Sequence, residues 1–186
     1  MCCRYAVNET VITWLKQFQL DAQMSSLGDI SPTNTAPALV AGRDGPLVTF
    51  MAWGFIRQDK QVVINARSET AWDKPLFRED IAHRRCVLPA AWFYEWDQQK
   101  RRNTFYPDDG SILFLAGLFN EAGRFVILTT AANTVMRPVH DRMPVCLAEK
   151  NIQDWLMDAA ASRQMLMNPC VSLRRKSPIQ QGSLLR

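Results

Sequence analysis

The sequence predicts an α+β domain with a largely antiparallel, barrel-like β-sheet and peripheral helices. Short apolar runs recur through the middle of the chain, broken by Gly, Pro, Asp and brief polar connections, as antiparallel strands with tight turns are. Helical periodicity is confined to the two ends and one short central stretch. No internal repeat or low-complexity linker divides the chain, and 186 residues suit a single domain. Such a domain buries roughly 70% of its unfolded surface without staples.

The elements follow in order. Asn8 can cap a helix, and Val11, Leu15, Phe18 and Ala22 then recur on one face, so residues 9–24 read as an amphipathic helix. It holds the N-terminus near the body. Residues 25–37, with Pro32, Asn34 and Pro37, read as an irregular loop. Strands are expected at 38–41, 47–53 and 62–66, a helix at 77–83, and strands at 86–88 and 93–96. Residues 98–103, with Lys100, Arg101 and Arg102, read as an exposed hairpin turn. Strands continue at 105–106, 112–118 and 125–130, residues 133–144 are irregular, 145–147 reads as a strand, and 151–157 and 159–167 as helices. The domain is expected to span 1–173, followed by a basic, mobile tail at 174–186 that contains Arg174, Arg175 and Lys176.

Composition narrows the class. Hydrophobic residues at 47% and charged residues at 22% are ordinary for a globular protein and argue against a disordered chain. No apolar run approaches the ~20 residues of a membrane span, and Arg4, Asn8 and Glu9 come too early for a secretory signal. A cytoplasmic address is expected. The five cysteines, at 2, 3, 86, 146 and 170, include no Cys-x-x-Cys pair, and His83 and His140 are the only imidazoles. Neither a disulfide framework nor a zinc site is indicated, so no metal and no cofactor is expected. A net charge of +4 permits a polyanionic partner without requiring one.

Chemistry concentrates at a few places. Loss of Met1 would leave Cys2 with a free α-amine and a thiol on one residue, both partly nucleophilic near neutral pH. An aldehyde can form an imine with that amine, and the thiol can close on it to give a thiazolidine; alternatively, Cys2 is simply a small second residue. Asn65 and Arg67 end an apolar run and, two residues apart, point to the same side of a strand. Glu95 lies within Trp92-Phe93-Tyr94-Glu95-Trp96. Burial there would raise its pKa toward the range useful for proton transfer, unless it forms a structural ion pair. His140-Asp141-Arg142 sets an imidazole beside a cation in a loop, which suits a general acid, a phosphate-facing group or a structural histidine. Thr129 and Thr130 offer hydroxyls at a strand end, although Thr is also a good strand former.

Taken together these motifs resemble the SRAP (SOS response-associated peptidase-like) family, whose members crosslink to abasic sites in single-stranded DNA. The resemblance is carried by Met1-Cys2-Cys3-Arg4-Tyr5, Asn34-Thr35-Ala36-Pro37, Trp53-Gly54-Phe55 and Asn65-Ala66-Arg67-Ser68-Glu69-Thr70. It continues through Arg85-Cys86-Val87-Leu88-Pro89-Ala90, Phe93-Tyr94-Glu95-Trp96, Ala116-Gly117-Leu118, Thr129-Thr130-Ala131-Ala132-Asn133 and His140-Asp141-Arg142-Met143-Pro144. It implies that Cys2, freed by methionine removal or self-processing, attacks the open aldehyde of the abasic sugar. His140 would assist ring opening, Glu95 would shuttle protons, and Asn65 would hold the sugar or the amine. Arg4, Arg67, Arg142 and Thr130 match phosphate-holding positions, and Trp53 or Pro37 could receive unstacked bases. The implied partner is single-stranded DNA containing abasic sites, bound by a monomer.

Two positions depart from the family pattern. Cys3 and Trp92 stand where Gly is usual, and a bulkier residue at either narrows the space for close approach. The loop after Trp53-Gly54-Phe55 is short. Two other readings therefore accompany the first: a cysteine-nucleophile peptidase or amidohydrolase that releases Met1 itself, and a single-strand DNA-binding module without chemistry.

Overall fold

A computed structural model describes residues 2–18, 28–167 and 172–178. In chain order these form β1 (Arg4–Val7), α1 (Glu9–Leu15), β2 (Gly28–Ile30), β3 (Thr35–Gly42), β4 (Gly45–Trp53), β5 (Phe55–Ile56), β6 (Val62–Val63) and β7 (Asn65–Arg67). They continue as α2 (Arg78–His83), β8 (Arg85–Ala90), β9 (Trp92–Trp96), β10 (Arg102–Pro107), β11 (Leu113–Phe119) and β12 (Arg124–Ala131). Last come β13 (Arg142–Pro144), β14 (Cys146–Leu147), α3 (Ile152–Met157), α4 (Ala159–Met167) and β15 (Leu173–Lys176). The molecule is the α+β domain that the sequence predicts.

The barrel is closed. Hydrogen bonding runs from β12 to β4, β3, β8 and β11, and β11 pairs with β12 to complete a ring. Only the β4–β12 step of that ring is parallel; β7 also joins β12 in parallel, and β13 and β14 extend the sheet as antiparallel partners. The ring closes tightly at Gly117, where a Cβ would sit 2.6 Å from Leu88 Cδ2 and 2.9 Å from the Val126 carbonyl. Only glycine fits there. The interior is filled by alternate apolar side chains, with the Trp53 indole stacked on Phe125 at 5.9 Å and Tyr5 tilted against it at 5.4 Å.

A second, antiparallel sheet in the order β15-β10-β9-β1-β2 covers one side. Directly opposed residues share a face, so Tyr5, Phe93 and Phe105 point inward together, Phe93 stacking on Phe105 at 5.1 Å. Arg4, Tyr94 and Thr104 occupy the opposite face.

Helices close the remaining sides. Asn8 caps α1 as its sequence predicts, its Oδ1 accepting from Val11 N–H at 3.1 Å. Asp158 does the same for α4, accepting from the N–H groups of Ala160 and Ala161. Arg85, buried at the start of β8, donates to the Ile81 and Ala82 carbonyls at the end of α2 and to the Trp155 and Leu156 carbonyls at the end of α3. A guanidinium so placed satisfies carbonyls that a helix end otherwise leaves unpaired.

Several expectations are corrected. The helix read at 9–24 is α-helical only to Leu15 and tightens into a 3-10 turn at Lys16–Phe18; residues 19–24 lie outside the described residues. The N-terminus is itself a strand, β1, clasped between β2 and β9, and β2 occupies part of the expected loop at 25–37. The strand read at 62–66 is two short pieces, because the Ile64 carbonyl turns away to accept from Trp53 Nε1 and Ile127 N–H. The irregular stretch at 133–144 ends in β13. The basic tail begins as β15, paired with β10 through Leu173–Lys176, while 179–186 lie outside the described residues.

Candidate functional site

Cys2 is buried beside the start of β1, and its thiol points back toward the Arg4 carbonyl at 3.8 Å. Across from it, Asn65 begins β7 and donates from Nδ2 to the Cys2 carbonyl at 2.9 Å. The Asn65 Oδ1 is buried without a protein partner, so the amide keeps an acceptor in reserve. Glu95 enters from β9, buried on the inner face. The ladder that pairs Arg4 with Tyr94 brings Glu95 opposite Cys3 when continued by one residue, and β10 sets the buried Asn103 on its other side. One carboxylate oxygen of Glu95 accepts from Trp96 N–H at 3.2 Å.

The electrostatics reflect that proximity. Burial pushes the Cys2 thiol far above its ordinary value, and the negative charge of Glu95 pushes it further; the Cys3 thiol is raised by the same two causes. Cys2 is therefore a protonated thiol at neutral pH, within electrostatic reach of the Glu95 carboxylate.

A second cluster lies around β12. Thr129 sits between Arg67 of β7 and Pro144 of β13, and Arg142 forms a two-pronged ion pair with Glu69 at 2.6 and 2.7 Å while donating to the Thr129 carbonyl. That pairing holds the Glu69 carboxyl below its usual range. Neither Glu69 nor Asn103 stands out as a site residue in the sequence; the one available signal is the acidic residue inside the Asn65–Thr70 motif. Arg67 is exposed and Thr130 buried. Arg4 sits on the outer face, its guanidinium over the Trp96 ring at 5.6 Å and 4.0 Å from Asp29.

His140 stands at the foot of β13, in a loop closed where Ala132 N–H donates to the Asp141 carbonyl. Its Nδ1 lies 3.0 Å from the Arg142 backbone nitrogen and 2.8 Å from Asp141 Oδ1. One nitrogen cannot serve both at once: bare, it accepts from Arg142; protonated, it donates to Asp141.

Trp53 and Pro37 are not at the surface. Trp53 is fully buried with its indole N–H bound to the Ile64 carbonyl, and Pro37 is buried within β3, so neither can receive a base. An aromatic in a sequence motif does not declare which side of a sheet it faces. Among the described residues no three His, Cys, Asp or Glu side chains converge to hold a metal ion, and no helix is long and apolar enough to cross a membrane.

The family model described as SOS response associated peptidase (SRAP) matches residues 1–179. The abasic site processing protein YoqW of Bacillus subtilis is 32% identical over 181 residues, covering 84% of this chain and 80% of that protein. The abasic site processing protein YedK of Escherichia coli is 29% identical over 184 residues, covering 88% and 83%. A structural-genomics crystal structure from Bordetella bronchiseptica superposes with a TM-score of 0.79 at 25% identity, covering 96% of this chain and 100% of the other.

Proposed function

This chain belongs to the SOS response associated peptidase family, and from that premise we propose that it captures abasic sites in single-stranded DNA as a covalent thiazolidine on Cys2, shielding the lesion. The observation that carries the reading is that Asn65 of β7 donates to the Cys2 carbonyl while the Glu95 charge on β9 acts on the buried Cys2 thiol, three separate strand regions converging on one residue.

Removal of Met1 frees the Cys2 amine. His140 moves a proton at the sugar ring oxygen as the hemiacetal opens to the aldehyde. The amine adds to C1′, and loss of water gives the imine, with Glu95 relaying the protons. The Cys2 sulfur then forms a bond to C1′ as its proton leaves for Glu95, and the imine nitrogen regains a proton. Asn65 holds the Cys2 carbonyl throughout, which fixes the direction of approach. Arg67 and Arg142 would contact phosphates, Arg142 by exchanging Glu69 for the DNA. The reaction needs a free thiol, which suits the reducing cytoplasm.

The raised thiol favours this reading over the peptidase. A cysteine hydrolase relies on a thiolate and a lowered pKa, whereas imine capture uses the amine first and a neutral thiol second. Incubation with an abasic oligonucleotide, read on a denaturing gel, is expected to give a heat-stable adduct that Cys2→Ala abolishes and Glu95→Gln slows. An adduct of unchanged yield from Cys2→Ala rejects the mechanism.

A further inference from the structure

Apart from Arg4 at its edge, the outer face of the five-stranded sheet takes no part in the site above, yet it is built unlike an ordinary solvated face. Strand alternation and register place Trp92, Tyr94 and Trp96 of β9 beside Arg102, Thr104 and Tyr106 of β10. Beyond them stand Arg174 and Lys176 of β15, and on the other flank Arg4 of β1. Trp92 packs against Tyr106 at 5.9 Å, Tyr94 against Trp96 at 6.5 Å, and the Arg102 guanidinium lies over the Tyr94 ring at 4.9 Å. A groove of about 480 Å³ runs across these side chains, lined by Trp92, Tyr94, Arg102, Thr104, Tyr106 and Lys176.

We propose that this face is a second contact surface for single-stranded DNA, a stacking and phosphate-holding platform for the strand that flanks the captured lesion. It rests on the proposed function for its connection to the lesion, and on the sheet itself for its chemistry. Rings interleaved with arginine and lysine are what a flexible polyanion with flat bases requires: bases stack on the rings, and the cations meet the phosphates without reading sequence. The charge is one-sided, with Arg4, Arg102, Arg174 and Lys176 set against Asp29. The face borders the site at one edge, since Arg4 lies two residues from Cys2, and Trp96 stands on the side of β9 opposite Glu95. Trp92, packed against Tyr106, supplies the ring at the far end of the row.

The test uses the Cys2→Ala chain, which binds without reacting, and a fluorescent undamaged oligothymidylate of about twelve nucleotides, within the site sizes such surfaces cover. Affinity is measured by anisotropy across a salt series. Arg102→Glu with Lys176→Glu, both at exposed positions, is expected to weaken binding at least about tenfold and to flatten the log–log salt dependence by ~0.7 for each phosphate left without its cation. Trp92→Ala is expected to weaken binding about fivefold or more at an unchanged slope. If both variants are folded by circular dichroism and bind with the parent's affinity and slope, the platform is wrong. Because the probe carries no lesion, the outcome is independent of the crosslink: absence of an adduct from the native chain would sink the thiazolidine reading and leave the surface standing.

Discussion

Alkali is expected to unfold this protein much more steeply than ordinary titration of its surface would. Cys2, Cys86 and Cys146 are all buried, and burial is the leading cause that raises each thiol, Cys146 to about 12 and the other two far above their ordinary value, with the Glu95 charge adding to the effect on Cys2. In the unfolded chain the same thiols ionise near that ordinary value of 9.0. Below that pH both states hold the proton and stability does not respond. Above it the unfolded chain releases protons that the folded chain keeps, so folding free energy falls as pH rises and goes on falling until the folded values are reached. Each thiol contributes about 1.4 kcal/mol per pH unit, and the three together about 4 kcal/mol per unit up to about pH 10, above which the buried Tyr5 hydroxyl, also raised chiefly by burial, adds about as much as one thiol. A domain of roughly 10 kcal/mol stability then unfolds about two to three units above the ordinary thiol value. The assay is urea unfolding under reducing conditions at a series of pH values between about 8 and 11. Cys86→Ala is expected to lower the slope by about a third. A slope below about 1.4 kcal/mol per unit above about pH 9.5 would mean that fewer than two of these thiols are shielded, and would refute the reasoning.

Three further outcomes follow from particular contacts. Trp53→Ala is expected to cost about 3–5 kcal/mol and lower Tm by about 10 °C or more, because the indole fills the barrel and binds the Ile64 carbonyl; a stable variant with weakened DNA binding would instead return Trp53 to the surface. Asn65→Leu removes the amide that holds the Cys2 carbonyl and leaves that carbonyl unpaired, at about 1–3 kcal/mol. Single-turnover crosslinking is expected to slow by about tenfold with the fold retained, and a native rate would show that the amide does not seat residue 2. Gly117→Ala must push Leu88 or the Val126 backbone aside, so about 1–3 kcal/mol of destabilisation is expected in denaturant unfolding.

The central strands were legible because alternation and turn residues extend over enough positions to be seen. β1, β2, β13 and β15 were not, since three or four residues carry little more than one period and their partners lie far away: Arg4 pairs with Tyr94, and Tyr106 with Arg174. For β15 the signal was also misleading, because Leu-Arg-Arg-Lys reads as a solvated tail, while charge is how an edge strand is kept from further pairing. At the site, Glu95 was legible as a buried acid among aromatics, and Asn65 as a polar residue ending an apolar run. The pairing of Arg142 with Glu69 and the opposition of Asn103 to Glu95 were not, because both are fixed by register across strands. Trp53 was misplaced for the converse reason: a motif records that a residue is required without saying whether packing or contact requires it.

The Arg85 guanidinium carries a kinetic consequence. It gathers the ends of α2 and α3 against β8 through one buried cation. Fraying of either helix would strip that charge of acceptors in a place where water does not replace them, so neither helix can loosen alone at small expense. Amide protons in the last turns of both helices and at the head of β8 should accordingly exchange with solvent through a shared opening event, with similar protection, although 70 residues separate them in the chain.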